Sequence, residues 1–262
     1  MEWNSPASTR AKRRLAVIIV APSRSARKIS SCMCFHDNLS KRITIAIDGP
    51  AGAGKSTLAR RIAAKLGFVY VDTGAMYRAV ALWALRTNVA PSDMHRLEQL
   101  ANAAHIEFAP GDSAVLLNSE DVSEAIRTLE VSQAASEVSL VPAVRRALVE
   151  KQREIGGQVS VVMEGRDIGT VVFPEATVKI FLDALPEERA TRRANESALP
   201  PDLVEQQIRE RDQRDRGRAE SPLVQAPDAI YLDTTGLTID EVEAAILKII
   251  RDRTSNGRER TQ

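Results

Sequence analysis

The sequence predicts an α/β fold: a parallel sheet flanked by helices, with a small inserted antiparallel lobe and a helical lid. Three observations lead there. Short apolar runs beginning at Ile43, Phe68, Gln158, Val178 and Ile230 alternate with segments of helical periodicity, the order that builds a parallel sheet. The runs at 158–163 and 178–182 are apolar almost throughout, as strands covered on both faces are. The alternation is broken once, where Ile106–Phe108 and Val115–Leu117 flank Pro110-Gly111-Asp112, a hairpin signal.

The elements follow in order. The strand from Ile43 is followed by a helix with Leu58, Ile62 and Leu66 on one face, and the strand Phe68–Val71 runs into Asp72-Thr73-Gly74. A helix is expected over Thr73–Arg86, with Met76, Val80, Trp83 and Ala84 at helical spacing, and another over Asp93–Ala104, capped by Asp93 or Ser92. The hairpin puts an inserted lobe at about 105–123. Helices are predicted over Arg127–Val138 and from Pro142, a good first-turn residue, to Ile155. The strand Gln158–Met163 ends in Glu164-Gly165-Arg166-Asp167, and Val178–Leu182 ends in Asp183. Helices over Pro186–Asn195 and Pro201–Arg214, a strand at Ile230–Leu232 and a closing helix over Ile239–Arg251 complete the reading.

Between the first strand and helix lies Gly49-Pro50-Ala51-Gly52-Ala53-Gly54-Lys55-Ser56-Thr57. A triphosphate needs many N–H donors at close range, and Gly49, Gly52 and Gly54 free the backbone to curl around it. Lys55 is then placed for the β- and γ-phosphates, the Ser56 hydroxyl for Mg²⁺, and the helix opening at Gly54 turns its positive end to the anion. The chain is expected to bind MgATP or a similar nucleotide here.

At 262 residues and 44% hydrophobic, the chain is long enough for one large domain with an insertion. No run approaches the ~18 apolar residues that a membrane helix needs. Residues 1–42 carry nine Lys/Arg against Glu2 and Asp37, so the remaining 220 residues carry −6 of the total +1. That balance does not suggest nucleic-acid binding by residues 43–262. Both cysteines, Cys32 and Cys34, lie in the basic stretch with His36; they read as an incidental grouping, and the cysteine-free remainder suits a reducing compartment. Residues 1–42 are Arg- and Ser-rich and fit a disordered or wrongly assigned leader, a targeting peptide or an ordered arm. A cytoplasmic monomer is expected, with residues 43–262 forming the domain.

A phosphate loop does not by itself separate kinases from GTPases, motor-like ATPases or regulatory switches. The Asn-Lys-x-Asp pattern that reads guanine is absent. Instead, arginine clusters stand at strand and helix ends, where open α/β sheets bind ligands. The densest runs from Arg209 to Arg218, and on a helix Arg211, Arg214, Asp215 and Arg218 share a face. Guanidinium groups closing over a phosphoryl group in transfer would stabilise its charge, which makes this segment a candidate lid with Gly217 as hinge.

These segments resemble the bacterial cytidylate kinases, the CMP/dCMP members of the nucleoside monophosphate kinases. The resemblance covers residues 43–251 and is carried by Ile47–Thr57, Asp72–Arg78, Glu120–Arg127, Glu164–Pro174 and Arg211–Arg218. It implies ATP-dependent phosphorylation of CMP and dCMP with Mg²⁺, a monophosphate-binding insertion at about 73–155 and a lid at about 186–222. It also implies that Thr73 and Tyr77 approach the base or sugar and that Arg78 takes the CMP phosphate. Ser136 and Arg145 would read the cytosine and its phosphate, and Arg166 and Asp167 the phosphate and ribose. Arg211 and Arg218 would contact the transferring phosphates and Asp215 the sugar hydroxyls, which with Lys55 and Arg166 completes the catalytic set. Glu164 closes a buried strand where it would stand near Mg²⁺ through a water. A kinase for UMP or AMP, or a nucleotide switch without a small-molecule acceptor, remains open on the same scaffold.

Overall fold

The structure, a computed structural model, describes residues 42–108, 114–195 and 200–259. Residues 1–41, the Pro110-Gly111-Asp112 turn and residues 196–199 lie outside the described residues. In chain order, β1 (Thr44–Asp48) leads to α1 (Lys55–Leu66), β2 (Val69–Asp72), α2 (Thr73–Arg86) and α3 (Met94–Ala103). Three short strands follow: β3 (Ile106–Phe108), β4 (Val115–Leu117) and β5 (Glu120–Asp121). A 3₁₀ turn at Ala125–Arg127 precedes α4 (Leu129–Val138), α5 (Pro142–Gln158) and β6 (Val161–Gly165). A π turn at Ile168–Val172, β7 (Val178–Asp183), α6 (Pro186–Asn195), α7 (Pro201–Arg216), β8 (Ile230–Asp233) and α8 (Ile239–Glu259) complete the described chain.

Five strands form one sheet in the order β2-β6-β1-β7-β8, with every pairing parallel. Strand side chains alternate between faces, and β1 uses both. Ile45 and Ile47 pack with Leu58 and Ile62 of α1 and with Val242 and Ile246 of α8. Ala46 faces the other layer, with Met76 and Val80 of α2 and Val144 and Leu148 of α5. All of these side chains are buried, and burial on both faces is why the strands read as continuous apolar runs.

The inserted lobe is the antiparallel sheet β3-β4-β5, with Ile106 opposite Leu117 and Leu116 opposite Asp121. Its third strand escapes a hydrophobicity reading because Glu120 and Asp121 are both acidic and exposed. Val115 and Leu117 turn inward and join the α2–α5 side of the core.

Several predicted boundaries move. Gln158 belongs to α5, and β6 begins at Val161 and runs on to Gly165, because the helix continues through Gly156, which is packed closely against Phe173. The α4 helix starts at Leu129, where the Thr128 side chain accepts from the Val131 N–H. Asp93, not Ser92, caps α3. α8 continues past Arg251 to Glu259, with the Thr254 hydroxyl bonded back to the Ile250 carbonyl. α7 ends at Arg216, so Arg218 lies beyond the helix on which Arg211 and Asp215 stand. Gly217 has φ −84°, so that position does not draw on glycine's conformational freedom.

The carboxyl ends of the parallel strands carry polar residues side by side: Asp48 is in register with Gly165, and Asp72 with Glu164. Gly49, immediately after β1, has φ 150°, and a Cβ there would lie 1.9 Å from the Leu182 carbonyl oxygen. Gly49→Ala is therefore expected to lower unfolding free energy by about 2 kcal/mol or more, read as a reduced urea midpoint; an unchanged midpoint would show that the chain can relieve this contact.

Candidate active site

The first half of the site is the loop between β1 and α1. Gly52 (φ 76°) and Gly54 (φ 85°) both take the left-handed conformation, which glycine adopts without steric cost. Gly54 is the N-cap of α1, so the helix opens toward the loop. Ala51 is held from both sides. Its carbonyl accepts from Arg189 Nη1 at 3.0 Å, and its N–H donates to Asp212 Oδ1 at 3.3 Å. Arg189 and Asp212 are themselves a buried ion pair, 2.5 Å apart, which ties α6 and α7 to the loop. Lys55 is buried and donates from Nζ to the Pro50 carbonyl at 2.7 Å. Burial, with the nearby Arg166 adding to it, brings the Lys55 ammonium down to about 7, against the opposing pull of Glu164.

The second half is a cleft lined by Thr73, Tyr77, Arg78, Ser136, Arg145 and Arg166, with Asp167, Arg211, Asp215 and Arg218 completing it. Each part of the fold supplies a share. Arg78 and Tyr77 come from the first turns of α2, Ser136 from α4 and Arg145 from α5. Arg166 and Asp167 follow β6, while Arg211 and Asp215 come from α7.

Carboxylates hold the guanidinium groups in place. Asp167 accepts from Arg145 at 2.5 Å, and Asp72 from Arg78 at 2.8 Å. Asp215, almost wholly buried, accepts from Arg166 Nε at 2.8 Å and also from Arg218. Burial works to raise the Asp215 carboxyl, but Arg166, Arg218 and Arg211 outweigh it and hold the group below the usual carboxylate range. Arg211 is lowered to about 10 by burial and by Arg166. The Arg145 guanidinium lies 5.4 Å from the Tyr77 ring centre, and burial raises the Tyr77 hydroxyl to about 12. Among the described residues, the Nε atoms of Arg78, Arg145 and Arg218 are buried without a hydrogen-bond partner, an arrangement that suits an anion with several acceptor oxygens.

Two contacts join the α7 region to α4. Arg214 Nη1 donates to Ser136 Oγ at 2.7 Å, and Arg218 Nη2 to Ser139 Oγ at 3.0 Å. Thr73, the first residue of α2, donates its hydroxyl to the Glu164 carbonyl at 2.7 Å. The Glu164 carboxylate faces the phosphate loop and accepts from the Tyr70 hydroxyl at 2.7 Å and from Ser56. Burial and the neighbouring Asp72 raise its pKa, while Lys55, Ser56 and Tyr70 oppose them. A serine hydroxyl beside a buried carboxylate at the end of a phosphate loop is a donor set suited to Mg²⁺.

The sequence-predicted residues of the acceptor side thus line one cleft, and Gly49 to Gly54 form the loop beside it, with Lys55, Ser56 and Thr57 in the first turn of α1. Sequence reasoning missed Asp48, Asp72, Arg189 and Asp212 as parts of the site, and it placed Arg214 on the arginine-rich face without its partner Ser136. Asp72 had a local signal: its side chain caps α2 by accepting from the Ala75 N–H at 2.9 Å, as an Asp before a helix does. Arg189 and Asp212 had none, since their partners lie far away in sequence.

Comparison with known proteins places this geometry in a family. The family model described as cytidylate kinase matches residues 45–252. A cytidylate kinase of Solibacter usitatus (strain Ellin6076) is 62% identical over 230 residues, covering 85% of this chain and 98% of that protein. One from Anoxybacillus flavithermus (strain DSM 21510 / WK1) is 51% identical over 225 residues, covering 82% of this chain and 99% of that protein. One from Ligilactobacillus salivarius (strain UCC118) is 48% identical over 220 residues, covering 81% and 98%. The matched stretch takes in the phosphate loop, the arginine-lined cleft and the α6–α7 segment together, and the chain belongs to the cytidylate kinase family.

Proposed function

We infer that this chain transfers the γ-phosphoryl group of ATP to CMP and dCMP, forming CDP and dCDP. The observation that carries the reading is the convergence of Arg78, Arg145, Arg166, Arg211 and Arg218 on one cleft beside the phosphate loop. One nucleotide then has its phosphates against the loop amides and Lys55, and the other has its phosphate among the arginines. The family supports a nucleotide substrate and ATP use.

The roles follow from position. Arg78 and Arg145 bind the acceptor phosphate, with Tyr77 as the wall under Arg145. Arg166, Arg211 and Arg218 meet the charge that spreads over the equatorial oxygens during transfer. Asp167 orients Arg145, Asp215 orients Arg166 and Arg218, and both carboxylates face the sugar. Thr73 and Ser136 stand on the base side, and Ser136 is the point where Arg214 of α7 reaches across. Ser56 and Glu164 would hold Mg²⁺, which when bound neutralises charge on the β- and γ-oxygens. The acceptor phosphate is already anionic, so no side chain needs to act as a strong base, and alignment with charge stabilisation does the work.

We read residues 1–42 as a leader and 43–262 as the kinase domain, with the acceptor-binding insertion at about 73–155 and the lid at about 186–222. A cytoplasmic monomer acting on small molecules, with no nucleic-acid or membrane partner, fits the acidic balance of residues 43–262. None of the described helices is long and apolar enough to cross a membrane.

The free enzyme's Lys55, near 7 through burial and Arg166, is partly neutral at pH 8. A bound polyphosphate stabilises the ammonium and raises its pKa, so binding takes up a proton above pH 7 and weakens as pH rises. Calorimetric titration with ADP in two buffers of different ionisation heat is expected to show net uptake at pH 8 relative to Lys55→Met, and little difference between the two proteins at pH 6. Identical proton balances in both at pH 8 would contradict this placement of Lys55.

The acceptor is tested by turnover on CMP, dCMP, UMP and AMP. Cytosine differs from uracil by an amino donor at C4 and an unprotonated N3, and each buried group left unpaired costs about 1–3 kcal/mol, so CMP should exceed UMP by roughly 10² in kcat/KM. dCMP should remain a good substrate, because a deoxyribose still offers its 3′-hydroxyl to Asp167 and Asp215. Equal use of UMP, or preference for AMP, would overturn the cytidylate reading while leaving a kinase.

A further inference from the structure

Asp48 is the last residue of β1, one position before the phosphate loop, and it is only 5% exposed. Asp167 of the cleft and Lys55 of the loop act on its carboxylate through space, but both of its oxygens are taken by backbone donors. Oδ1 accepts from the Ile168 N–H at 2.8 Å and Oδ2 from the Gly169 N–H at 2.7 Å. Those are the first two N–H groups of the π turn Ile168–Val172, which have no acceptor within their own turn. Gly169 sits so close that a Cβ on it would lie 3.3 Å from Asp48 Oδ2 and 3.1 Å from the Lys179 side chain.

The same turn is held at its other end. Arg153 of α5 donates from Nε to the Val172 carbonyl at 3.1 Å and from Nη2 to the Val171 carbonyl at 2.7 Å. Inside the turn, the Val171 and Val172 N–H groups return to the Asp167 carbonyl at 2.8 and 3.2 Å. Arg166 and Asp167 therefore leave β6 directly into a backbone segment pinned at both ends. π turns inserted beside functional residues set side-chain direction in this way. A carboxylate kept among buried groups at an energetic cost, with its pKa raised to about 6 by burial, is poorly explained by stability alone.

We propose that Asp48 is a positioning residue for the acceptor nucleotide: by holding the Ile168 and Gly169 N–H groups, it fixes Arg166 and Asp167 in register with the phosphate loop that begins at the next residue. This rests on the reading of the arginine-lined cleft as the acceptor site. In-line transfer requires the reacting atoms to be held about 3–3.5 Å apart and aligned, and misplacement by about 1 Å can cost about 10²-fold in rate. Asp48 belongs covalently to the donor side and by hydrogen bonds to the acceptor side, so it is where that distance is set.

Asp48→Asn keeps the size of the side chain but turns an amide NH₂ toward one of the two backbone donors. It is expected to lower kcat/KM for CMP about tenfold or more while the KM for ATP stays within about twofold. In an Asp167→Asn background the same substitution should cost less than about threefold further, because a residue acting through another is non-additive with it. Arg153→Met, on a side chain that is 45% exposed, frees the other end of the turn without burying a new group. It should raise the KM for CMP about threefold or more and leave that for ATP unmoved.

Full multiplication of the Asp48 and Asp167 effects, equal shifts in both KM values, or unchanged CMP kinetics in Asp48→Asn would overturn the proposal. If Asp48→Asn fails to fold, an unchanged CMP KM in Arg153→Met overturns it alone. Wild-type indifference to CMP, or normal CMP kinetics in Asp167→Asn, would instead bring down the acceptor reading and this proposal with it. The two failures are distinguishable, because the second appears before Asp48 is altered.

Discussion

The buried Lys55 and the half-buried Arg166 and Arg211 stand close together, and their like charges oppose one another. Burial and Arg166 together lower both Lys55, to about 7, and Arg211, to about 10. The folded chain tolerates this because carboxylates are threaded among the cations. Asp215 bridges Arg166 and Arg218, Asp167 holds Arg145, Asp72 holds Arg78, and Asp212 holds Arg189. Removing one member of such a pair leaves an uncompensated buried charge, which is costly. The pairing also fixes each guanidinium before any phosphate arrives, so little reorganisation is left for the reaction step.

The sheet supplies the frame for that network. Asp48, Asp72 and the Glu164-Gly165 pair lie at the carboxyl ends of adjacent parallel strands, the edge at which open α/β sheets bind ligands. β1 stands between β6 and β7, so the phosphate loop leaving β1 has the Arg166–Asp167 segment on one side and Asp183 with α6 on the other. The Arg189–Asp212 pair then carries the connection onward, from the loop to α7 and its Arg211 and Asp215. The phosphate loop, the arginine-lined cleft and the α6–α7 segment are thereby linked by short polar contacts.

Much of this was legible in the chain because it is local. A glycine-rich loop between an apolar strand and an amphipathic helix announces itself within fifteen residues, and strands buried on both faces leave continuous apolar runs. The residues that line the cleft were legible mainly through resemblance, since Ser136 or Arg145 alone carries no spacing signal. What stayed hidden depends on contacts across long stretches of sequence. Asp48 finds its partners 120 residues away, and Ala51 meets Asp212 across 161; nothing near those residues reports such pairings. The acidic strand Glu120–Asp121 was invisible because it buries nothing, and Gln158 was misread because helix and strand join there with only Val159 and Ser160 between them.

In the function proposed above, two nucleotides lie together in this network and the phosphoryl group passes straight from one to the other, with no residue of the chain taking it up. The stereochemical course at the transferred phosphorus measures this most directly, using ATP made chiral at the γ-position and CMP as acceptor. A single in-line displacement inverts the configuration, and inversion is what direct transfer requires. Retention would mean two displacements through a covalent enzyme intermediate, and would contradict it.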